Sequence, residues 1–282
     1  MTPVLLSLAA SCCWGVADFI GGMQTKRVSV PVVLALVEGF GLVLVLVIVA
    51  AVGEPLPGGR AVVLSLVGGV AGVLALGCFY RALSIGTMSI VAPISATGVA
   101  LPVIVGIATG DDLSAFVSAG LAVTVVGVIL ASREAHEDDH RAAAGRLSIG
   151  LALLAAVGFG SYFVLSDAAA DDSVLWFLVL SRVIPVPALI AIAAARGTPR
   201  PAPRTALVLA IGGTLDCGAT GLYALANTKG ALSIVAVVGS LHPVATVMLA
   251  RVVLGERLNT WQIAGAGCAL AAIALIVSGG RP

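Results

Sequence analysis

The sequence predicts an all-α integral membrane protein, with ten transmembrane helices arranged as two inverted five-helix repeats. Three observations support this fold class. The chain of 282 residues is 60% hydrophobic and only 10% charged, whereas soluble domains carry about 25% charged residues. It contains ten apolar stretches long enough to span a bilayer. Short motifs also recur at an interval of 144 residues, slightly over half the chain.

A transmembrane helix needs about 20 largely apolar residues, because about 30 Å of hydrocarbon is crossed at about 1.5 Å per residue. The first apolar stretch lacks the basic segment of a signal peptide, so we interpret it as a retained helix. The ten helices are predicted at residues 3–23, 30–52, 61–80, 88–108, 113–131, 147–165, 174–195, 205–226, 231–254 and 261–277.

The repeat is clearest where Ser89-Ile90-Val91-Ala92 returns as Ser233-Ile234-Val235-Ala236, and Phe79 aligns with Tyr223 at the same offset. Each half would contain five helices. An odd number makes the second half enter the membrane from the opposite side, which gives an inverted-topology repeat. We therefore predict one repeat at residues 1–132, a charged linker at 133–146 and a second repeat at 147–282.

The linker holds the densest charge cluster, including His136 and His140. Its mixed charges in a short run favour a solvated segment over a metal site, because no second set of ligands would complete a coordination shell. The formal net charge of +1 offers no basic surface for nucleic acid. We expect no metal and no cofactor.

Ionisable side chains inside the predicted helices are the candidates for function. Each costs about 2.5–3.5 kcal/mol at the centre of a membrane helix on insertion scales, so such groups usually face a cavity or a partner. The five candidates are Asp18, Glu38, Arg182, Asp216 and His242.

Glu38 and Arg182 lie 144 residues apart, so the repeats place opposite charges at equivalent positions. Two interpretations remain open. The two side chains form a structural ion pair, since mutual pairing limits the cost of burying both charges. Alternatively, they are separate site groups for opposite ends of a solute.

The eighth helix carries a polar stripe. Its members share one helix face through spacings of four, three and four residues, and they are Asp216, Thr220, Tyr223 and Asn227. The equivalent face of the third helix is apolar. We predict that the stripe lines a cavity; the alternative is that it forms hydrogen bonds with neighbouring helices.

Aromatic residues accompany a carboxylate in the first helix, where Trp14 and Asp18 share one face. The equivalent sixth helix offers Phe159 and Tyr162. Ring faces beside a carboxylate suit a cationic or amphipathic solute. The alternatives are that Trp14 only packs and that Asp18 reaches the membrane interface.

His242 precedes Pro243 in the ninth helix. With an unperturbed pKa of about 6.5, a histidine can exchange protons at physiological pH. We interpret Asp216 and His242 as candidates for proton coupling, and the alternative is a histidine satisfied by one neighbour. The cavity is expected to lie between the first, third, fourth, sixth, eighth and ninth helices.

Several motifs resemble those of the EamA-type transporters of the drug/metabolite transporter superfamily. The resemblance covers nearly the whole chain and depends on Trp14-Gly15, Ser181-Arg182, Tyr223-x-Leu225, Pro243, Leu254-Gly255-Glu256-Arg257-Leu258 and Gln262-x-x-Gly265. The first repeat departs from the pattern, with Gly110-Asp111-Asp112-Leu113 at the turn and Glu38 where the family usually has an apolar residue or arginine.

The resemblance implies a secondary transporter of the cytoplasmic membrane that moves a small organic solute, such as an amino acid, a metabolite or a cationic drug. We expect a proton-driven exporter that works by alternating access as a monomer or homodimer. The chain has no phosphate-binding loop for direct use of ATP. We expect no catalytic residues; the alternatives are a non-transporting membrane partner or regulatory protein and a membrane-embedded enzyme.

Overall fold

The computed structural model describes residues 2–108, 139–170, 172–229, 241–255 and 260–279, with isolated positions between 115 and 126 and between 235 and 239. All the regular secondary structure in these residues is helical. In chain order the helices are α1 (Thr2–Thr25), α2 (Val30–Val52), α3 (Gly59–Ile85), α4 (Met88–Ala96), α5 (Ala100–Ala108), α6 (Asp139–Ala170), α7 (Val174–Val183), α8 (Pro185–Ala195), α9 (Pro203–Asn227), α10 (His242–Leu254) and α11 (Thr260–Gly279).

Six helical segments of the described residues are long and apolar enough to cross a membrane. They are α1, α2, α3, residues 145–170 of α6, α7 together with α8, and α9. Each corresponds to a predicted span. The predicted span at 113–131 and the first half of the span at 231–254 lie largely outside the described residues, and so does the start of the charged linker.

α6 begins at Asp139, inside the segment that the sequence predicted to be a linker. The alanine-rich run at residues 142–144 explains this, because alanine has the highest intrinsic helix propensity. The segment was predicted to be a linker because of its charge. In the structure, local helix propensity extends the helix beyond its apolar part.

Three predicted spans contain breaks, each followed by a proline. A 3-10 turn at Thr97–Val99 separates α4 from α5, and Ile184 separates α7 from α8. α10 starts at His242, directly before Pro243. Proline has no backbone N–H, so it leaves the carbonyl four residues earlier without its helical partner. Pro102, Pro185 and Pro243 therefore release the carbonyls of Gly98, Ser181 and Gly239.

Glycines allow helices to cross closely beside two of these carbonyls. A Cβ atom added to Gly69 of α3 would collide with the Ser181 carbonyl, and one added to Gly160 of α6 would collide with the Gly98 carbonyl. Close approach of this kind replaces the apolar driving force that is lacking between helices in lipid. The breaks are thereby packed inside the protein rather than exposed to hydrocarbon.

The two halves of the chain use the same close contacts at equivalent positions. Gly69 packs on Ser181, and Gly213 of α9 packs on the carbonyl of Val37 in α2. Both partners of the second contact are displaced by 144 residues from their equivalents in the first. Matching crossings in the two halves point to a shared packing scheme.

A second pair of contacts follows the same rule. Gly15 of α1 packs against the His242 carbonyl, and Gly160 packs against the Gly98 carbonyl. The offset is 144 residues between Gly98 and His242 and 145 between the glycines. The broken regions before α5 and before α10 are therefore held by equivalent helices.

We expect Gly213→Ala to lower the free energy of unfolding by about 1–3 kcal/mol, the usual cost of overpacking. The added Cβ would meet the Val37 carbonyl, so α9 would have to move away from α2. Gly218→Ala in the same helix is the matched control, because no atom lies within 4 Å of its added Cβ. Thermal unfolding in detergent measures both, and equal stability of the two variants would contradict this packing.

Candidate functional site

An internal cavity of about 90 Å³ lies among the helices. This volume is room for several water molecules. Its walls come from α1, α2, α3, the α4–α5 break, α6, α7, α9 and the start of α10. The sequence analysis omitted the second and seventh helices from the lining set, and these supply Glu38, Ser181 and Arg182.

Arg182 joins two carboxylates in this wall. Its Nε atom lies 3.0 Å from Oε2 of Glu38, and its Nη2 atom donates a hydrogen bond of 3.1 Å to Oδ2 of Asp216. The Arg182 side chain is 4% exposed, against 12% for Glu38 and 16% for Asp216. We refer to these three residues as the arginine triad.

The arginine triad is held in place by its surroundings. Nη1 of Arg182 donates to the Leu178 carbonyl at 3.1 Å, one turn earlier in α7. Gly41 of α2 provides space beside the guanidinium, because its added Cβ would lie 3.2 Å from Nε of Arg182. The orientation of the guanidinium toward both carboxylates is thus fixed by packing as well as by charge.

The structure brings Glu38 and Arg182 into contact, as the structural-pair interpretation expects, and adds Asp216 to them. With all three groups ionised, the arginine triad carries a net charge of −1. Buried charges are costly unless compensated. The triad therefore leaves one negative charge to be balanced by something other than Arg182.

A second polar contact links Asp18 of α1 to His242 at the start of α10. Oδ2 of Asp18 lies 2.9 Å from Nδ1 of His242. Thr246, one turn later, donates its hydroxyl to the carbonyl of Gly15 at 3.1 Å. The polar contacts of this helix crossing place a titratable histidine beside a carboxylate in the cavity wall.

Asp216 and His242 were predicted together as the proton-coupling candidates, but each contacts a different partner in the structure. His242 contacts Asp18, and Asp216 contacts Arg182. Spacing along one helix shows which residues share a face, but not which helix lies opposite. The contact between α1 and α10 depends on close passage at Gly15, which is a tertiary feature.

Aromatic rings form the apolar part of the wall. The Trp14 ring lies 5.3 Å from that of Tyr223 and 5.9 Å from that of Phe163. Tyr162 lies 5.9 Å from Phe163, and its ring rests on Gly72 of α3. Phe159 also lines the cavity and packs edge-on against Phe79. Four predicted aromatic residues thus reach the same cavity.

Phe163 was missed by the sequence analysis. It lies in the cavity wall between Trp14, Tyr162 and Tyr223. The signal that could have found it is the repeat itself, because Phe163 is offset by 145 residues from Asp18, the offset that also relates Trp14 to Phe159. At this offset the first half of the chain has an acid and the second half has an aromatic ring.

The polar stripe of α9 reaches the cavity in part. Asp216, Thr220 and Tyr223 line it, whereas Asn227 ends the helix outside the described cavity wall. The Thr220 hydroxyl donates to the carbonyl of Asp216 at 2.9 Å. Of the equivalent apolar face of α3, Gly72 and Leu76 line the cavity, while Phe79 and Leu83 are buried in the core.

Among the described residues, no group of three or more histidine, cysteine, aspartate or glutamate side chains is arranged to hold a metal ion. The cavity thus combines a surplus of carboxylates with aromatic walls, inside a bundle of apolar helices. These features define a polytopic membrane protein with a polar site among its helices.

Comparison with known proteins narrows the class of membrane protein. Residues 146–278 match the model of the EamA-like transporter family, and this part of the chain belongs to that family. The predicted resemblance to EamA-type transporters of the drug/metabolite transporter superfamily is confirmed. The apolar helices indicate a membrane protein, and its second half is similar to a transporter family. No curated protein matches the chain.

A solved structure, described only as "Crystal structure of protein", has a TM-score of 0.67 to this chain at 16% sequence identity. The alignment covers 99% of this chain and 99% of the other. At this identity the similarity concerns the fold alone, and it extends over both halves.

Proposed function

We propose that this protein is a secondary transporter of the cytoplasmic membrane that exports a small organic solute in exchange for protons. The observation that carries the proposal is the cavity among the helices that is lined by the arginine triad and the Asp18–His242 pair. Five ionisable side chains at membrane depth are costly for a protein that only needs to span the bilayer. A pathway for a solute would explain why these ionisable groups lie inside the membrane-spanning helices.

The paired glycine contacts support an architecture of two inverted five-helix repeats, at residues 1–132 and 147–282. Transporters built this way bind solute at the repeat interface, often beside discontinuous helices, and expose the site by rocking one repeat against the other. The breaks at Thr97–Val99 and before α10 lie at equivalent positions and both border the cavity. They mark the expected solute site.

The proton would be carried by the Asp18–His242 pair. Both side chains can bind and release a proton, and Nδ1 of His242 lies 2.9 Å from Oδ2 of Asp18. The arginine triad, which includes Asp216, would contact the polar part of the solute. The apolar body of the solute would lie against the rings of Trp14, Phe159, Tyr162 and Tyr223. The two functions would share one cavity, so occupancy by a proton and by the solute would influence each other.

The substrate is to be found by overexpressing the protein and measuring growth resistance across amino acids, nucleosides and cationic drugs. The selected solute is then tested with purified protein in proteoliposomes. We expect a pH difference to drive its accumulation, and Asp216→Asn to abolish this flux while insertion and folding are retained. Unchanged flux in Asp216→Asn would remove this residue from the pathway.

A protein that confers no resistance and moves no solute in proteoliposomes would contradict the transporter proposal. Asp172→Asn is the matched control, since Asp172 is exposed in the loop between α6 and α7. This variant should transport like the unaltered protein.

A further inference from the structure

The charges of the cavity indicate which solutes it accepts. Arg182 cannot offer its charge freely to an anion, because Glu38 lies within ion-pair distance of its Nε atom and Asp216 accepts a hydrogen bond from its Nη2 atom. With His242 neutral and Asp18, Glu38 and Asp216 ionised, the five groups together carry three negative charges and one positive charge. In a site with little access to water, such an imbalance favours a cation and disfavours an anion.

The two carboxylates of the triad are not equivalent. Glu38 and Arg182 occupy equivalent positions in the two proposed repeats. If the two repeats exchange their conformations during transport, the distance between these two positions therefore stays the same. Asp216 has Gly72, without a side chain, as its equivalent. Its contact with Arg182 therefore has no matching contact in the other half.

The neighbouring residues also distinguish the carboxylate of Asp216 from that of Glu38. Glu38 is the only residue of α2 in the described cavity wall, whereas Asp216 is followed along α9 by Thr220 and Tyr223. A positive group beside Asp216 would thus have a hydroxyl and aromatic rings next to it. Ring faces stabilise a desolvated cation as well as contacting an apolar body.

We propose, on the basis of the proposed transport function, that Asp216 binds the positive group of a small organic monocation and that Arg182 takes the place of this cation when the cavity is empty. The incoming cation displaces the Nη2 arm of Arg182 from Asp216. Glu38 retains the Nε side, so the guanidinium stays in the wall. Arg182 is then an internal competitor that sets the affinity for the solute.

This arrangement predicts an unusual effect of Arg182→Lys on the affinity for the cation. The guanidinium reaches Glu38 and Asp216 with separate nitrogens, whereas lysine has a single ammonium group. A lysine paired with Glu38 would leave Asp216 less occupied. The affinity for the cation should therefore increase severalfold, whereas a merely structural role of Arg182 predicts no gain.

The experiment measures equilibrium binding to the purified full-length protein in detergent by isothermal titration calorimetry at neutral pH. The probes share one body and differ in charge: benzylamine as the cation, benzyl alcohol as the neutral analogue and benzoate as the anion. We expect benzylamine to bind at least about tenfold more tightly than either of the others, equivalent to about 1.4 kcal/mol.

The variants assign this preference to Asp216. Asp216→Asn should remove the preference for benzylamine and leave the affinity for benzyl alcohol unchanged, and Arg182→Lys should strengthen benzylamine binding. Asp172→Asn should behave like the unaltered protein. The proposal is overturned if benzylamine fails to bind at millimolar concentration, if benzoate or benzyl alcohol binds as tightly, or if Asp216→Asn retains the cation preference.

Binding at equilibrium needs no gradient, so the result separates this inference from the transport proposal. Cation binding that depends on Asp216 in a protein without flux would support the site and contradict transport. Proton-driven flux of a neutral or anionic solute, without benzylamine binding, would support transport and overturn the cation site.

Discussion

Arg182→Met is expected to be the most destabilising single change in the cavity. It leaves Glu38 and Asp216 close together and buried without a counter-charge. Removing one partner from a buried ion pair typically costs about 3–5 kcal/mol, because the remaining charge stays desolvated. The variant should show a lower yield of folded protein and a lower midpoint of thermal unfolding in detergent.

Neutralising the carboxylates tests the cause of this loss. The triple variant Glu38→Gln, Arg182→Met and Asp216→Asn contains no unpaired charge, and we expect it to regain most of the stability. Arg204→Met, at an exposed position near the start of α9, is the control for the substitution itself. A triple variant no more stable than Arg182→Met would show that the arginine contributes through packing rather than charge.

His242→Asn is expected to uncouple transport from the proton gradient while solute exchange continues. If one proton moves per solute, one pH unit can support about a tenfold accumulation, since a tenfold ratio corresponds to about 1.4 kcal/mol. In His242→Asn this accumulation should fall to the level without a gradient. Asparagine retains hydrogen-bonding capacity toward Asp18 but cannot take up a proton.

Uptake into proteoliposomes with and without a pH difference measures the uncoupling. Asp18→Asn should give the same phenotype, because it removes the other member of the pair. His140→Asn, outside the predicted spans, is the matched control. Full gradient-driven accumulation in both His242→Asn and Asp18→Asn would exclude the pair as the proton site.

Much of the helical architecture could be predicted from the sequence, because apolar length directly reflects the thickness of the bilayer. α1 and α2 begin and end within two residues of the predicted spans. α6 begins at Asp139, ahead of the predicted span at 147–165, because the charged run also contains residues with high helix propensity. Pro185 lies inside the predicted span at 174–195, but the division of this span into α7 and α8 could be seen only in the backbone.

The candidate site was predicted as a set of residues but not as a set of pairs. The free-energy cost of placing an ionisable side chain inside a membrane helix was enough to select Asp18, Glu38, Arg182, Asp216 and His242. The 144-residue offset related Glu38 to Arg182, which the structure shows in contact. Nothing in the sequence placed Asp216 on the same guanidinium, because that contact depends on how closely α2, α7 and α9 approach around Gly41 and Gly213.

The most direct test of the proposed function is whether solute movement drives proton movement. Proteoliposomes containing the unaltered protein are prepared with no initial pH difference and a trapped pH-sensitive dye. An inward gradient of the solute selected by the resistance screen is then imposed. We predict that the lumen becomes more alkaline as protons leave in exchange, and that His242→Asn abolishes the change. Solute uptake by the unaltered protein without any change in lumenal pH would contradict proton-coupled exchange.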